Sequence, residues 1–167
     1  MAWLYDTTND TIREIHRGGF TIGVYENKMF YDSVADRFIS ISNTGAGAPV
    51  VSELTLNRAD PTASAFVRVT PTGQVPSAFL TAFGWDNTNR RAGGGIVNGL
   101  FYLYDATTRV WSRQQMVKET GGNATMTPAG YGCEFDPTSG CYIFLAYWKG
   151  VYGASDVDGN TYAYRPT

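Results

Sequence analysis

The chain has 167 residues, enough for one domain that buries about 70% of its unfolded surface without disulfide or metal staples. It carries 13 basic and 15 acidic residues, a net charge of -2, and only Lys28, Lys118 and Lys149 are lysine. That balance, with Arg scattered singly apart from Arg90-Arg91, excludes a phosphate-tracking nucleic-acid protein, and no run of about 18 apolar residues exists to form a membrane span.

The opening residues MAWLYDTTND have neither the basic nor the apolar region of a secretory signal. A virion or cytoplasmic location is therefore expected, and processing would account for an extracellular one. A strand is one reading of the segment at residues 10–17. A two-turn helix competes over Asp10–Arg17, where Glu14 follows Thr11 by three residues and Gly18-Gly19 supplies a stop, so residues 1–20 are a strand or short-helix segment. Beyond it, short runs rich in aromatic and β-branched residues follow one another: FTIGVY, RFISIS, SELTL, AFVRV, IVNGLFYLY, CYIFLAYW and NTYAY. Gly, Pro, Asp and Asn separate them. This predicts an all-β fold of short antiparallel strands in a single domain 1–167.

One unit recurs. An Asp, usually after an aromatic, precedes an apolar residue by six positions: Tyr5-Asp6 and Ile12, Tyr31-Asp32 and Phe38, Ala59-Asp60 and Phe66, Tyr104-Asp105 and Trp111, Phe135-Asp136 and Tyr142. Trp85-Asp86 with Ala92 and Ser155-Asp156 with Tyr162 are weaker copies. A carboxylate that accepts backbone N–H groups starts a turn, and the chain returns as an antiparallel strand with rings facing across it.

The segments Tyr31–Ile41, Leu103–Trp111 and Phe135–Phe144 resemble the hairpins of kelch and galactose-oxidase-type β-propellers. The resemblance implies a small or partial propeller, with hairpin-pair repeats over 21–69, 78–114 and 127–165 and a leftover outer hairpin over 2–15; a β-sandwich is the alternative. The paired glycines of kelch blades have their nearest counterpart in Gly93-Gly94-Gly95. At the length of such blades the chain supplies between three and four, so the ring closes on itself, is shared between two chains, or stays open. The galactose-oxidase copper site needs two His, and His16 is the only one, so that activity does not carry over.

No cofactor is expected. Asp156, Asp158 and Asn160 alternate as in a calcium loop, but Gly159 stands at the fourth position, not the sixth, and no Glu closes the loop. With the loop of the last inner hairpin at Pro137–Gly140, Cys133 and Cys141 point to opposite faces and serve as small buried hydrophobes. Glu14, Glu26, Glu53, Glu119 and Glu134 form no pair by spacing, so no catalytic residue is assigned. The candidate contacts are aromatic: Tyr147, Trp148 and Tyr152, where a strand runs into a Gly-rich loop, and Trp85. These expectations describe a non-enzymatic structural or protein-interaction module that self-associates or joins neighbouring subunits. Its low lysine and abundant Thr, Gly, Ala and Asn resemble virion surface and tail proteins. The alternatives are a carbohydrate-binding propeller and a glycan hydrolase or lyase.

Overall fold

The computed structural model describes residues 2–16, 26–43, 47–77, 82–122, 132–146 and 160–167. Its described elements are β-strands and one 3-10 turn, and none of the sheets closes into a barrel. No described helix is long and apolar enough to cross a membrane. The chain divides into two compact units, residues 1–45 with 50–70, and residues 46–49 with 71–167.

The first unit holds a hairpin of β1 (Ala2–Asp6) and β2 (Thr11–His16) and a sheet of β3 (Glu26–Asp32), β4 (Arg37–Asn43), β5 (Val50–Thr55) and β6 (Phe66–Val69). The four strands lie in sequence order, each antiparallel to the next. The helical alternative at Asp10–Arg17 is overturned through residue 16. Thr11–His16 is a strand because it pairs with β1 along its length, and so short a helix has too few internal bonds to compete. One sheet face places Leu54 and Phe66 against Leu4, Phe38 and Leu56. The other buries Ile39, Ile41, Val51 and Val69, as the period of two along each strand requires. At one end of that face Arg37 donates to Asp32 at 3.2 Å and to Glu53 at 2.8 Å, so the two buried carboxylates have a cation between them.

The second unit begins with β7 (Thr72–Gly73), which pairs in parallel with Val110-Trp111. Then β8 (Phe83–Asp86), β9 (Arg91–Val97), β10 (Leu100–Asp105) and β11 (Val110–Gln115) form a second antiparallel meander. A third sheet holds β12 (Cys133–Asp136), β13 (Cys141–Ala146) and β14 (Asn160–Tyr164). The register puts Cys133, Phe144 and Tyr162 in one cross-strand row and Phe135, Tyr142 and Tyr164 in the next. These rows pack on Ile96, Phe101, Leu103 and Met116 of the meander. The sheets approach closely because glycine lines the contact. A Cβ on Gly93 would meet the Tyr142 ring at 2.4 Å, and one on Gly84 would meet the Glu134 backbone at 2.8 Å. Gly93 thus admits a ring from the facing sheet.

Five hairpins share one turn. In each, the Asp pairs with the residue five positions on, across a four-residue loop: Asp6 with Thr11, Asp32 with Arg37, Asp86 with Arg91, Asp105 with Val110, Asp136 with Cys141. The next pair outward is the predicted one, Tyr5–Ile12, Tyr31–Phe38, Trp85–Ala92, Tyr104–Trp111 and Phe135–Tyr142. Ring centroids meet at 5.1 Å for Tyr31–Phe38 and Tyr104–Trp111 and at 5.0 Å for Phe135–Tyr142. Asp105 accepts from the Thr107 and Thr108 amides at 3.0 and 2.9 Å, and Asp6, Asp86 and Asp136 repeat the arrangement. The last loop residue is left-handed each time, with φ of 51° at Asp10, 47° at Asp36, 55° at Arg90, 59° at Arg109 and 67° at Gly140.

Asp60 departs from the predicted unit. It caps the 3-10 turn Pro61–Ala63 by accepting from the Thr62 amide and hydroxyl, within a long connection between β5 and β6. Pro61 after it presets the backbone for that turn. The Asp156 copy and the strand expected over 20–25 lie outside the described residues.

Candidate interaction surface

The N-terminal hairpin has one covered and one open face. Leu4 points toward Leu54 and Phe66, and its cross-strand partner Arg13 lies on the same side. Trp3, Tyr5 and Ile12 point the other way and are 56%, 54% and 66% exposed. Trp3 stands opposite Glu14, and Tyr5 opposite Ile12. Three large apolar side chains side by side on one exposed face are a departure from solitary surface hydrophobes.

The ring of Tyr5 is held in place. Its hydroxyl donates to Asp10 Oδ1 across the turn, and this acceptor raises the phenol pKa above its usual value. Asp10 can reach back because it occupies the left-handed position that Asp tolerates through local hydrogen bonding. The next hairpin repeats the device: Tyr31 donates to Asp36 at 2.6 Å, and Asp36 also accepts from Arg58 at 3.1 and 2.5 Å. Arg58 first, and Tyr31 second, hold the Asp36 carboxyl below the ordinary range. The shared pattern is Tyr-Asp-x-x-x-Asp, YDTTND and YDSVAD. Where that last position is Arg90, Arg109 or Gly140, no such carboxylate is present.

Among the sequence-predicted contacts, Trp85 lies half-buried on β8, its indole N–H donating to Asn87 Oδ1 at 3.3 Å, so its polar edge is turned to its own loop. Tyr147, Trp148 and Tyr152 lie outside the described residues, as do Asp156 and Asp158 of the calcium-like loop; Asn160 opens β14. His16 closes β2, paired with Ala2. Glu53 is engaged by Arg37, and Glu134 lies exposed on β12. Among the described residues, no three His, Cys, Asp or Glu side chains gather in a metal-binding arrangement. Cys133 is buried and Cys141 half-buried, both as free thiols, with the opposed orientations expected from the loop. The Tyr142 hydroxyl donates to the Arg91 carbonyl at 3.3 Å, and burial first, then the Asp86 charge, raises its pKa steeply.

The open face was not read from the sequence. Its signal was present in the alternation of Trp3 and Tyr5 along AWLYD, with Ile12 brought opposite by the turn. No family model, curated protein or solved structure matches the chain.

Proposed function

We propose that the chain is a non-enzymatic structural or interaction module that joins neighbouring subunits, or copies of itself, by strand addition at open hairpin edges. The observation that carries this reading is the β1–β2 hairpin: a sheet of two strands with no third strand among the described residues. An isolated two-stranded sheet is marginal in water, and unpaired N–H and C=O groups are a template for another strand. In this reading the sheets are blades of a small or partial propeller, with a sandwich as the alternative. The recurrence of a four-strand meander in chain order, β3–β6 and β8–β11, supports blades. The role resembles that of virion surface and tail proteins, whose low-lysine surfaces pack against neighbours. The employment of the described Asp side chains in turns, and of Asp32 and Glu53 around Arg37, supports a non-catalytic assignment.

Hydrogen–deuterium exchange at two protein concentrations tests the mode of assembly. Amides of β1 or β2 become protected at high concentration and lose protection on dilution. Fast exchange of both strands at every concentration refutes strand addition there.

A further inference from the structure

We infer that the outer edge of β14 is an acceptor groove for β1 of a second copy of this chain, which adds there as the fourth strand of the third sheet. The inference rests on the assembly reading above and names its donor and its acceptor.

Two strands of the chain have an open side. Among the described residues β14 has β13 as its one strand neighbour, and β1 has β2. On the far side of the hairpin β2 packs against the 3-10 turn Pro61–Ala63, so β1 carries the freer edge. Both strands have five residues. The meanders β3–β6 and β8–β11 are each one strand longer than the sheet that β14 ends.

A groove follows the β14 edge. Met116–Thr120 forms one wall and Thr161–Tyr164 the other, around a space of about 690 Å³. A second space, of about 700 Å³, continues it past Arg165, with Val117, Glu119, Ala163 and Tyr164 common to both. Phe144 and Tyr162 line the first space, stacked with centroids 5.8 Å apart. Val117 is 62% exposed in the opposite wall. Apolar surface beside a free backbone edge is the combination by which a sheet takes up an extended segment.

The side-chain pattern of β1 selects it as the occupant. The cross-strand rows Cys133, Phe144, Tyr162 and Phe135, Tyr142, Tyr164 stop at the β14 edge. Trp3 and Tyr5 share one face of β1 at the same period of two, and both are more than half exposed. Antiparallel addition with Trp3 opposite Tyr164 and Tyr5 opposite Tyr162 extends each row by a ring, the kind of pair that stabilises neighbouring strands. Leu4 then falls on the other face, beside Ala163. The body of the donor must lie on that face, because Leu4 packs on Leu54 and Phe66. Thr161 and Ala163 are small and exposed there, which leaves the space free.

Sedimentation velocity and hydrogen–deuterium exchange on the full chain test this pairing. Trp3→Asp spoils the donor and Val117→Asp the acceptor, each at an exposed site. The parent gains mass with concentration and protects the amides of Asn160–Tyr164 as it does so. Each variant alone associates at least tenfold more weakly and leaves those amides in fast exchange. An equimolar mixture regains a two-chain species, because the Trp3→Asp chain keeps its groove and the Val117→Asp chain keeps its β1. Near-ultraviolet circular dichroism establishes that each variant is folded, and Trp3→Lys or Val117→Lys replaces one that is not. A parent that associates without protecting β14, a variant that associates as well as the parent, or a mixture no better than its components overturns this donor and acceptor and leaves assembly through other surfaces standing. A parent of single-chain mass at every concentration removes self-assembly and this pairing together.

Discussion

Replacing Gly93 by Ala should destabilise the second unit through a single collision. The added Cβ would lie 2.4 Å from Tyr142 Cζ and 2.6 Å from Cε1, so the ring would have to retreat by about 1 Å to reach ordinary contact. It has little room to do so. Tyr142 is 2% exposed, with Phe101 at 5.2 Å and Phe135 at 5.0 Å between centroids, and its hydroxyl is tied to the Arg91 carbonyl. Gly93 does not occupy the left-handed region, so the backbone itself accepts Ala. Losing glycine freedom in the unfolded chain would alone stabilise by about 0.4–1 kcal/mol, whereas overpacking costs about 1–3 kcal/mol. The net expectation is a loss of about 1–2 kcal/mol, a fall of about 0.5–1 M in the urea midpoint for an m-value near 2 kcal/mol per M. Tyr142→Leu in the same chain removes the colliding ring, so the double variant should recover about 1 kcal/mol relative to additivity. A Gly93→Ala protein as stable as the parent, or a strictly additive cycle, would refute the close packing of the two sheets.

The shared turn yields further expectations. Asp136→Ala removes the acceptor of the Thr138 and Ser139 amides and should lower the urea midpoint, with Asp136→Asn losing less because one acceptor oxygen remains. The Asp6 carboxyl is held below its usual pKa by the Asn9 side chain and the Thr8 amide, and Asp136 by Ser139 and the Thr138 amide. At Asp105 burial opposes the shift, but the Thr108 amide and hydroxyl and Arg91 outweigh it. Because these pKa values are depressed in the folded state, their contribution is full above about pH 4 and is lost as pH falls further. Denaturant midpoints measured from pH 6 to pH 2 should fall in that window, and in Asp136→Asn the fall should be shallower. Thiol labelling should find both cysteines free, with half-buried Cys141 reacting faster than buried Cys133 in the native protein. A disulfide in the unreduced chain would contradict the register of β12 with β13.

Much of the hairpin pattern was legible because its cause is local. An Asp accepting two loop amides, four loop residues and a ring pair beyond it all fall within eight positions, so Tyr104–Trp111 and Phe135–Tyr142 can be placed without knowing anything distant. The Asn98-Gly99 turn had an equally local signal that the sequence reading passed over: the run IVNGLFYLY is broken there into β9 and β10, with φ of 51° and 75° suited to a two-residue hairpin loop. Asp60 shows where locality fails. The same Asp-Pro start that opens a hairpin at Asp136 caps a 3-10 turn at Asp60, because β5 and β6 pair across a longer connection. The segment from Thr11 likewise carries helical spacing at Ile12 and Ile15, and only pairing with β1 decides for a strand. The exposure of Trp3 and Tyr5 was hidden for a similar reason. Alternation states that they share a face, but which face is covered depends on Leu54 and Phe66, some fifty residues away.

The central claim, that this is an assembling module, is tested most directly by its mass in solution. The single chain is 18.3 kDa. Light scattering over a wide concentration range should give a mass above that value, rising with concentration or fixed at a whole multiple. A value of 18.3 kDa at every concentration, including the highest attainable, would contradict self-assembly and leave only contacts with a different subunit.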